Sequence, residues 1–142
     1  MFGVAAFIDC HTVWRRMQKI DYERLSRRIM DEGDVFVLNA YTTQKGSSGR
    51  GFIAYLVSKG YRVEVDQEAK DTTARLVLDC IKVANKADCI VLVGCPDRLV
   101  EYLRILDKRV VVINDAELSD YVLSEDTGIG TGRPGENGGS GA

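Results

Sequence analysis

Asp9 and Asp97 are the residues whose type and position first suggest chemistry. Asp9 directly follows the apolar run Val4–Ile8, where an acid needs a reason to be tolerated. Asp97 stands three residues past the apolar run Cys89–Gly94, in the first turn of a helical pattern. If the two runs are neighbouring strands, both carboxylates converge on one crevice. Converging carboxylates repel unless a cation or a proton sits between them. Mg²⁺ or Mn²⁺ held by carboxylates and water resolves the repulsion, and such an ion can activate water and stabilise a phosphoryl oxyanion. For Asp97 an equal alternative is an acid that complements the helix dipole. Asp71, followed by Thr72 and Thr73, opens a long helical pattern at the same rim, as a third ligand or, by preference, as the helix cap. Asn114 and Asp115 end the fifth apolar run there and also read as caps, Asp115 for the helix from Ala116.

His11, the only histidine, lies two residues after Asp9 and could transfer protons or ligate, although a lone histidine near a helix start is usually a surface residue. Cys10, His11 and Cys95 each adjoin a strand end. A soft-metal site or redox pair is conceivable there, but the spacing is not diagnostic. Around the same rim stand Arg15, Arg16, Lys19, Lys45, Arg50, Lys70, Arg75 and Arg98, with Tyr41 placed to stack on a base. A basic rim with an aromatic around an acidic centre suits single-stranded nucleic acid, and a solvated charged surface weighs equally. Trp14 reads as core.

The elements that must position these residues follow from periodicity. Val4–Asp9, Asp34–Thr42, Tyr61–Asp66, Cys89–Gly94 and Arg109–Asn114 are apolar or β-branched runs. Near-continuous Val/Ile/Leu runs mark strands covered on both faces, while the strict alternation of Tyr61–Asp66 marks an edge. Helical patterns lie between them: Asp21–Asp31, Gly51–Ser58, Thr72–Asn85, Pro96–Leu106 and Ala116–Leu123. On Thr72–Asn85 the expected inner stripe is Val77, Cys80, Ile81 and Ala84, with Thr73 at its border and Asp79 nearly opposite, facing solvent. Strands alternating with helices give right-handed βαβ units. The expectation is a three-layer α/β/α fold with a five-stranded parallel sheet of order 3-2-1-4-5. Ligands of such sheets sit at the carboxyl ends of the strands where the order reverses, here between strands 1 and 4.

The chain has 142 residues, 45% apolar and 28% charged, with a net charge of −2. One domain over residues 1–124 is expected, followed by a Gly-rich disordered tail over 125–142. No global basic field exists, so nucleic-acid binding would need a local patch. The four cysteines form no C-x-x-C pair. No leader or run of ~20 apolar residues is apparent, which points to a reducing, cytoplasmic setting without membrane contact. Strand 1 runs into DCHTVW, with neither G-x-G-x-x-G nor G-x-x-x-x-G-K-[ST], so Rossmann and P-loop chemistry are not expected.

Five segments, taken in order, carry a resemblance. They are Phe7-Ile8-Asp9-Cys10-His11-Thr12; Asn39-Ala40-Tyr41-Thr42; Gly51-Phe52-Ile53 through Leu56 to Gly60-Tyr61-Arg62-Val63; Lys70 to Asp79; and Leu92-Val93-Gly94-Cys95-Pro96-Asp97-Arg98-Leu99. The chain resembles the NYN domains, relatives of the PIN-like ribonucleases, over about Val4 to Asn114. The resemblance implies a metal-dependent ribonuclease acting on single-stranded RNA. Asp9 and Asp97, helped by Asp71, would ligate Mg²⁺ or Mn²⁺, and Thr12 and Thr73 would orient water. Lys45, Arg50, Lys70, Arg75, Arg98 and Tyr41 would guide the RNA. The departures fall on the chemistry. Thr12 replaces the family's asparagine, Thr73 its helix-start aspartate, Cys95 the first aspartate of its strand-4 signature and Arg98 an aromatic. A thiolate is a poor partner for hard Mg²⁺. The alternative implied is a catalytically inactive module on the same fold, serving nucleic-acid binding or assembly. Strand 3 or strand 5, if exposed, could pair with a second copy to form a homodimer.

Overall fold

Every strand of the sheet runs the same way. The computed structural model describes residues 2–17, 19–44 and 49–123. It contains β1 (Gly3–Asp9), α1 (Cys10–Met17), α2 (Tyr22–Met30), β2 (Asp34–Thr43), α3 (Gly49–Ser58) and β3 (Arg62–Asp66). These are followed by α4 (Ala69–Val83), β4 (Cys89–Val93), α5 (Asp97–Ile105), β5 (Arg109–Ile113) and a short α6 (Asp115–Leu118). The strands form one five-stranded parallel sheet of order β3-β2-β1-β4-β5, as the alternation of patterns predicts. Lys45 and the segment 125–142 lie outside the described residues. Arg50, read from the sequence as loop, stands in the first turn of α3. Among the described residues no helix is long and apolar enough to cross a membrane.

Of the three interior strands, β1 and β4 are the most deeply buried, and Val4–Ile8 and Cys89–Val93 are fully buried. Side chains alternate across a strand, so each strand feeds two cores. Val4, Ala6 and Ile8 pack under α1, α2 and α3 with Val13, Leu25, Ile29 and Leu56. Ala5 and Phe7 pack under α4 and α5 with Leu76, Cys80, Leu99 and Leu103. Burial at ~25 cal/mol per Å² of apolar surface makes these two layers the main stabilising term.

β2 carries one irregularity. Val4 pairs with Val35 but Ala5 with Val37, so Phe36 is an extra residue, a bulge whose ring lies against Gly3.

Three details of the helices differ from the sequence reading. The buried stripe of α4 runs Thr72, Leu76 and Cys80 to Ala84 just beyond it, while Ile81 is exposed. Leu76, Val77, Leu78, Cys80 and Ile81 put apolar groups around most of the helix, so periodicity alone does not select the inward side. Trp14 is 39% exposed rather than core. It lies one step off the inward stripe, which Cys10 and Val13 fill. Asn114, not Asp115, caps α6, its side chain accepting from the Glu117 N–H at 2.9 Å.

Candidate active site at the strand 1 and strand 4 ends

Alternation along β1 sends Ala5 and Phe7 to the α4/α5 side, and Asp9 is the next residue in that series. Its carboxylate is 1% exposed. Oδ1 accepts a hydrogen bond from the Thr12 backbone N–H at 3.1 Å. Oδ2 accepts one from the Thr73 hydroxyl at 2.9 Å. The first bond is a helix cap: Asp9 precedes α1 and satisfies an amide of its first turn. The second ties α4 to the end of β1. Hydrogen bonds to an ionised acceptor are the stronger kind, and they supply the reason for an acid after five apolar residues.

The neighbouring strand end completes the crevice. Gly94 follows β4 with φ of +73°. A Cβ there would stand 3.1 Å from both the Asp9 carbonyl oxygen and Val13 Cγ2, so only glycine lets the two strand ends approach this closely. The Cys95 thiol points back towards the Phe7 carbonyl oxygen at 3.6 Å and the Val93 carbonyl oxygen at 3.7 Å. Burial, reinforced by the Asp9 carboxylate, pushes this thiol well above its ordinary range, so it is a neutral S–H.

The other acids of the predicted set are exposed. Asp97 is exposed at the first position of α5, after Pro96, and its side chain has no partner among the described residues. Asp71 does not cap α4. Glu68 holds that position without a side-chain bond, and Asp71 is an exposed acid of the first turn. Among the described residues no group of three or more His, Cys, Asp or Glu side chains could hold a metal ion. Cys10, His11 and Cys95 do not cluster. Cys10 turns to the opposite core, near Tyr22, where burial pushes its thiol up to about 12. His11 is half-buried with no hydrogen-bond or ion-pair partner among the described residues.

Two expectations about the rim are corrected. Tyr41 cannot stack on a base, because it is fully buried in the α4/α5 core. Its hydroxyl donates to Asp79 Oδ2 at 2.8 Å and accepts from Asn39 Nδ2 at 3.0 Å. Asp79 therefore does not face open solvent; rotation of the α4 stripe brings it to the edge of β2. This Asn39–Tyr41–Asp79 chain is absent from the sequence reading. Its only signal there is Tyr41 falling two residues after Asn39 in an alternating strand. Arg75 is not a free cation either. It grips Asp66 with two bonds of 2.9 Å and holds that carboxyl below the usual range. Arg16 reaches Asp115 at 3.6 Å. Arg15, Arg50, Lys70 and Arg98 are exposed and have no ion-pair partner among the described residues.

A parallel sheet whose strand order reverses between β1 and β4 defines the broad class: an α/β protein of the kind whose ligands sit at the carboxyl ends of the strands. The model of the NYN domain family matches residues 3–126, and the chain belongs to that family, which is of the nuclease type. The crystal structure of a protein of unknown function from Vibrio parahaemolyticus shares the fold, with a TM-score of 0.68 at 19% identity over 86% of this chain and 96% of that one. No curated protein matches the chain.

A hard divalent cation asks for several anionic oxygens. Here both oxygens of Asp9 already accept hydrogen bonds, the Thr73 hydroxyl is committed to Asp9, and Cys95 offers a neutral thiol. Among the described residues Asp97 and Asp71 are uncommitted carboxylates of the predicted set, and both are exposed. This donor set does not fit a carboxylate-held metal pair.

Proposed function

We propose that this NYN domain is a non-hydrolytic module that engages single-stranded RNA along its strand-end rim. The observation that carries the reading is the Thr73 hydroxyl bonded to Asp9 Oδ2 at 2.9 Å. By the resemblance Thr73 stands where the family has its helix-start aspartate, and here its hydroxyl satisfies an oxygen of the buried acid instead. The neutral thiol of Cys95 acts in the same direction. The free cations Arg15, Arg50, Lys70 and Arg98 support backbone contacts to phosphates, which position a strand without reading its sequence.

The test is a fluorescence-anisotropy titration and a cleavage gel on the same labelled single-stranded RNA, with and without Mn²⁺. Binding that weakens in Lys70→Ala/Arg98→Ala, with the RNA intact in both conditions, is the expected result. Thr73→Asp/Cys95→Asp should gain calorimetric Mn²⁺ binding that the parent lacks. Mn²⁺-dependent cleavage by the parent that disappears in Asp97→Asn would overturn the proposal. The site would then be a thinned nuclease centre of Asp9 and Asp97, with Asp71 assisting.

A further inference from the structure

β2 and β3 are neighbours of unequal length. β2 has ten residues and β3 five. Pairing between them begins only at Asn39 and Arg62, so among the described residues Asp34–Leu38 form a ladder with β1 alone. The lane that a longer β3 would fill is instead a cavity of about 680 Å³. It reaches both faces of the sheet. Val35 and Leu38 line it on the α2/α3 side, and Phe7, Val37 and Val83 line it on the α4 side. Lys59, Gly60 and Arg62 stand at the end where β3 starts.

We propose that this recess docks a short extended peptide of another protein, which adds to β2 as a strand in front of β3, with apolar side chains on both faces and a carboxylate at its flank. Three observations select this occupant. First, the recess is strand-shaped. Its walls belong to both faces, so its occupant lies in the plane of the sheet. There the backbone groups of Val35–Leu38 that point away from β1 have no backbone partner among the described residues. An added main chain satisfies such groups, and its side chains alternate into pockets on either face. Bases would stack on aromatic faces, whereas most of the apolar lining is aliphatic.

Second, the recess is short. Five residues of open lane span roughly 16 Å. β3 closes one end, and the bulge at Phe36 breaks the register of β2 near the other. A bulge guards an edge against pairing with another long edge, so the recess admits one short segment rather than the side of a second sheet. Third, the charges favour carboxylates. Lys59, Arg62, Arg75 and Lys82 line the cavity against Glu64 and Asp79, on a chain of net charge −2. Asp79 is held by the Tyr41 hydroxyl. Arg75 is committed to Asp66, but Lys82 has no ion-pair partner among the described residues. Lys59 and Arg62 pair with Glu23 and Glu64, and surface pairs of this kind are weak and exchange partners.

The experiment is selection of a displayed random decapeptide library on the full chain, followed by amide-resolved NMR with the enriched peptide made synthetically. Enrichment of peptides that alternate apolar residues, lack a central proline and carry Asp or Glu at a flank is expected. The peptide should slow hydrogen exchange of the Val35–Leu38 amides. Arg62→Glu/Lys82→Glu should weaken it roughly tenfold or more and strengthen its lysine-flanked counterpart. Both positions are exposed, circular dichroism checks the fold, and Lys82→Glu alone carries the test if the double variant does not fold. No enrichment over a mock selection would overturn the proposal, as would peptides that bind without protecting β2 or that ignore the charge reversal. Displacement of the peptide from these amides by oligouridylate would overturn it in favour of nucleic acid. Amides on the open side of β2 that are already slow to exchange in the free chain would overturn it too, and assign the recess to another segment of the chain.

Discussion

The two faces of the sheet use their polar atoms differently. Under α1, α2 and α3 the polar atoms close on one another. The Tyr22 ring meets Phe52 and Tyr61 at 5.7 Å and Tyr55 at 6.4 Å, all edge-on. The Tyr61 hydroxyl donates to the Tyr22 carbonyl at 2.7 Å, and the Tyr55 hydroxyl accepts from the Tyr22 N–H at 3.1 Å. Aromatic pairs of this geometry add ~0.5–1.5 kcal/mol each beyond burial, so this face is a lock on helix positions. Under α4 and α5 the polar atoms gather instead at the carboxyl end of β1 and along β2: Asp9 with Thr73, Cys95 beside them, and Tyr41 with Asp79. The comparison separates a face that only holds the structure from one that keeps an acid, a hydroxyl and a thiol where a family site would be. In this chain the second set is drawn into hydrogen bonds of its own.

The largest effect that would sharpen the contrast is Tyr22→Ala, which empties the aromatic lock and should cost ~3–5 kcal/mol, read as a fall in the urea midpoint. Second is Asp9→Ala, which strands the Thr12 N–H and the Thr73 hydroxyl in a buried place and should cost about 1–3 kcal/mol in the same assay. If Asp9→Ala instead stabilised the fold, the acid would be a strained group retained for chemistry, and the contrast between the faces would break. Third is Tyr41→Phe, with an expected loss of about 1 kcal/mol from the Asn39 and Asp79 bonds.

The smallest effect concerns the thiols. Burial pushes Cys10 and Cys80, one on each face, up to about 12. The folded chain therefore holds these protons more tightly than the unfolded chain does. Their contribution to stability is complete below the ordinary thiol value of 9.0 and is lost as pH rises towards 12. Neither thiol should react with Ellman's reagent at pH 8 until denaturant is added. Fast labelling of Cys10 alone would mark the aromatic face as the looser one.

Strand order and the need of Asp9 for partners were legible because they rest on signals that periodicity carries: buried runs alternating with helices, and an acid that no apolar run tolerates without partners. The partners themselves were less legible. Thr73 could be placed at the rim, but its bond to Asp9 depends on the rotation of α4, and that helix is apolar on most sides. The same ambiguity misplaced Asp79. Tyr41 was read as a stacking platform because its neighbour is a basic loop, whereas strand alternation, the stronger constraint, puts its ring in the core. Trp14 failed in the opposite sense: its size suggested burial, but Cys10 and Val13 had already filled the short inward stripe of α1.

The pairing of β1 with β4 also has a consequence for the order of folding. Gly3 and Asp88, which meet at the foot of this ladder, are 85 positions apart in sequence. β1, β2 and β3 are sequential neighbours, as are β4 and β5, so each group can assemble through nearby crossovers. The central ladder must wait for the longest loop to close, and contacts of such separation form late. The crevice of Asp9, Gly94 and Cys95 exists only once that seam has zipped. The rim is therefore the last part of the molecule to take shape, and its two banks are made by separate stretches of the chain.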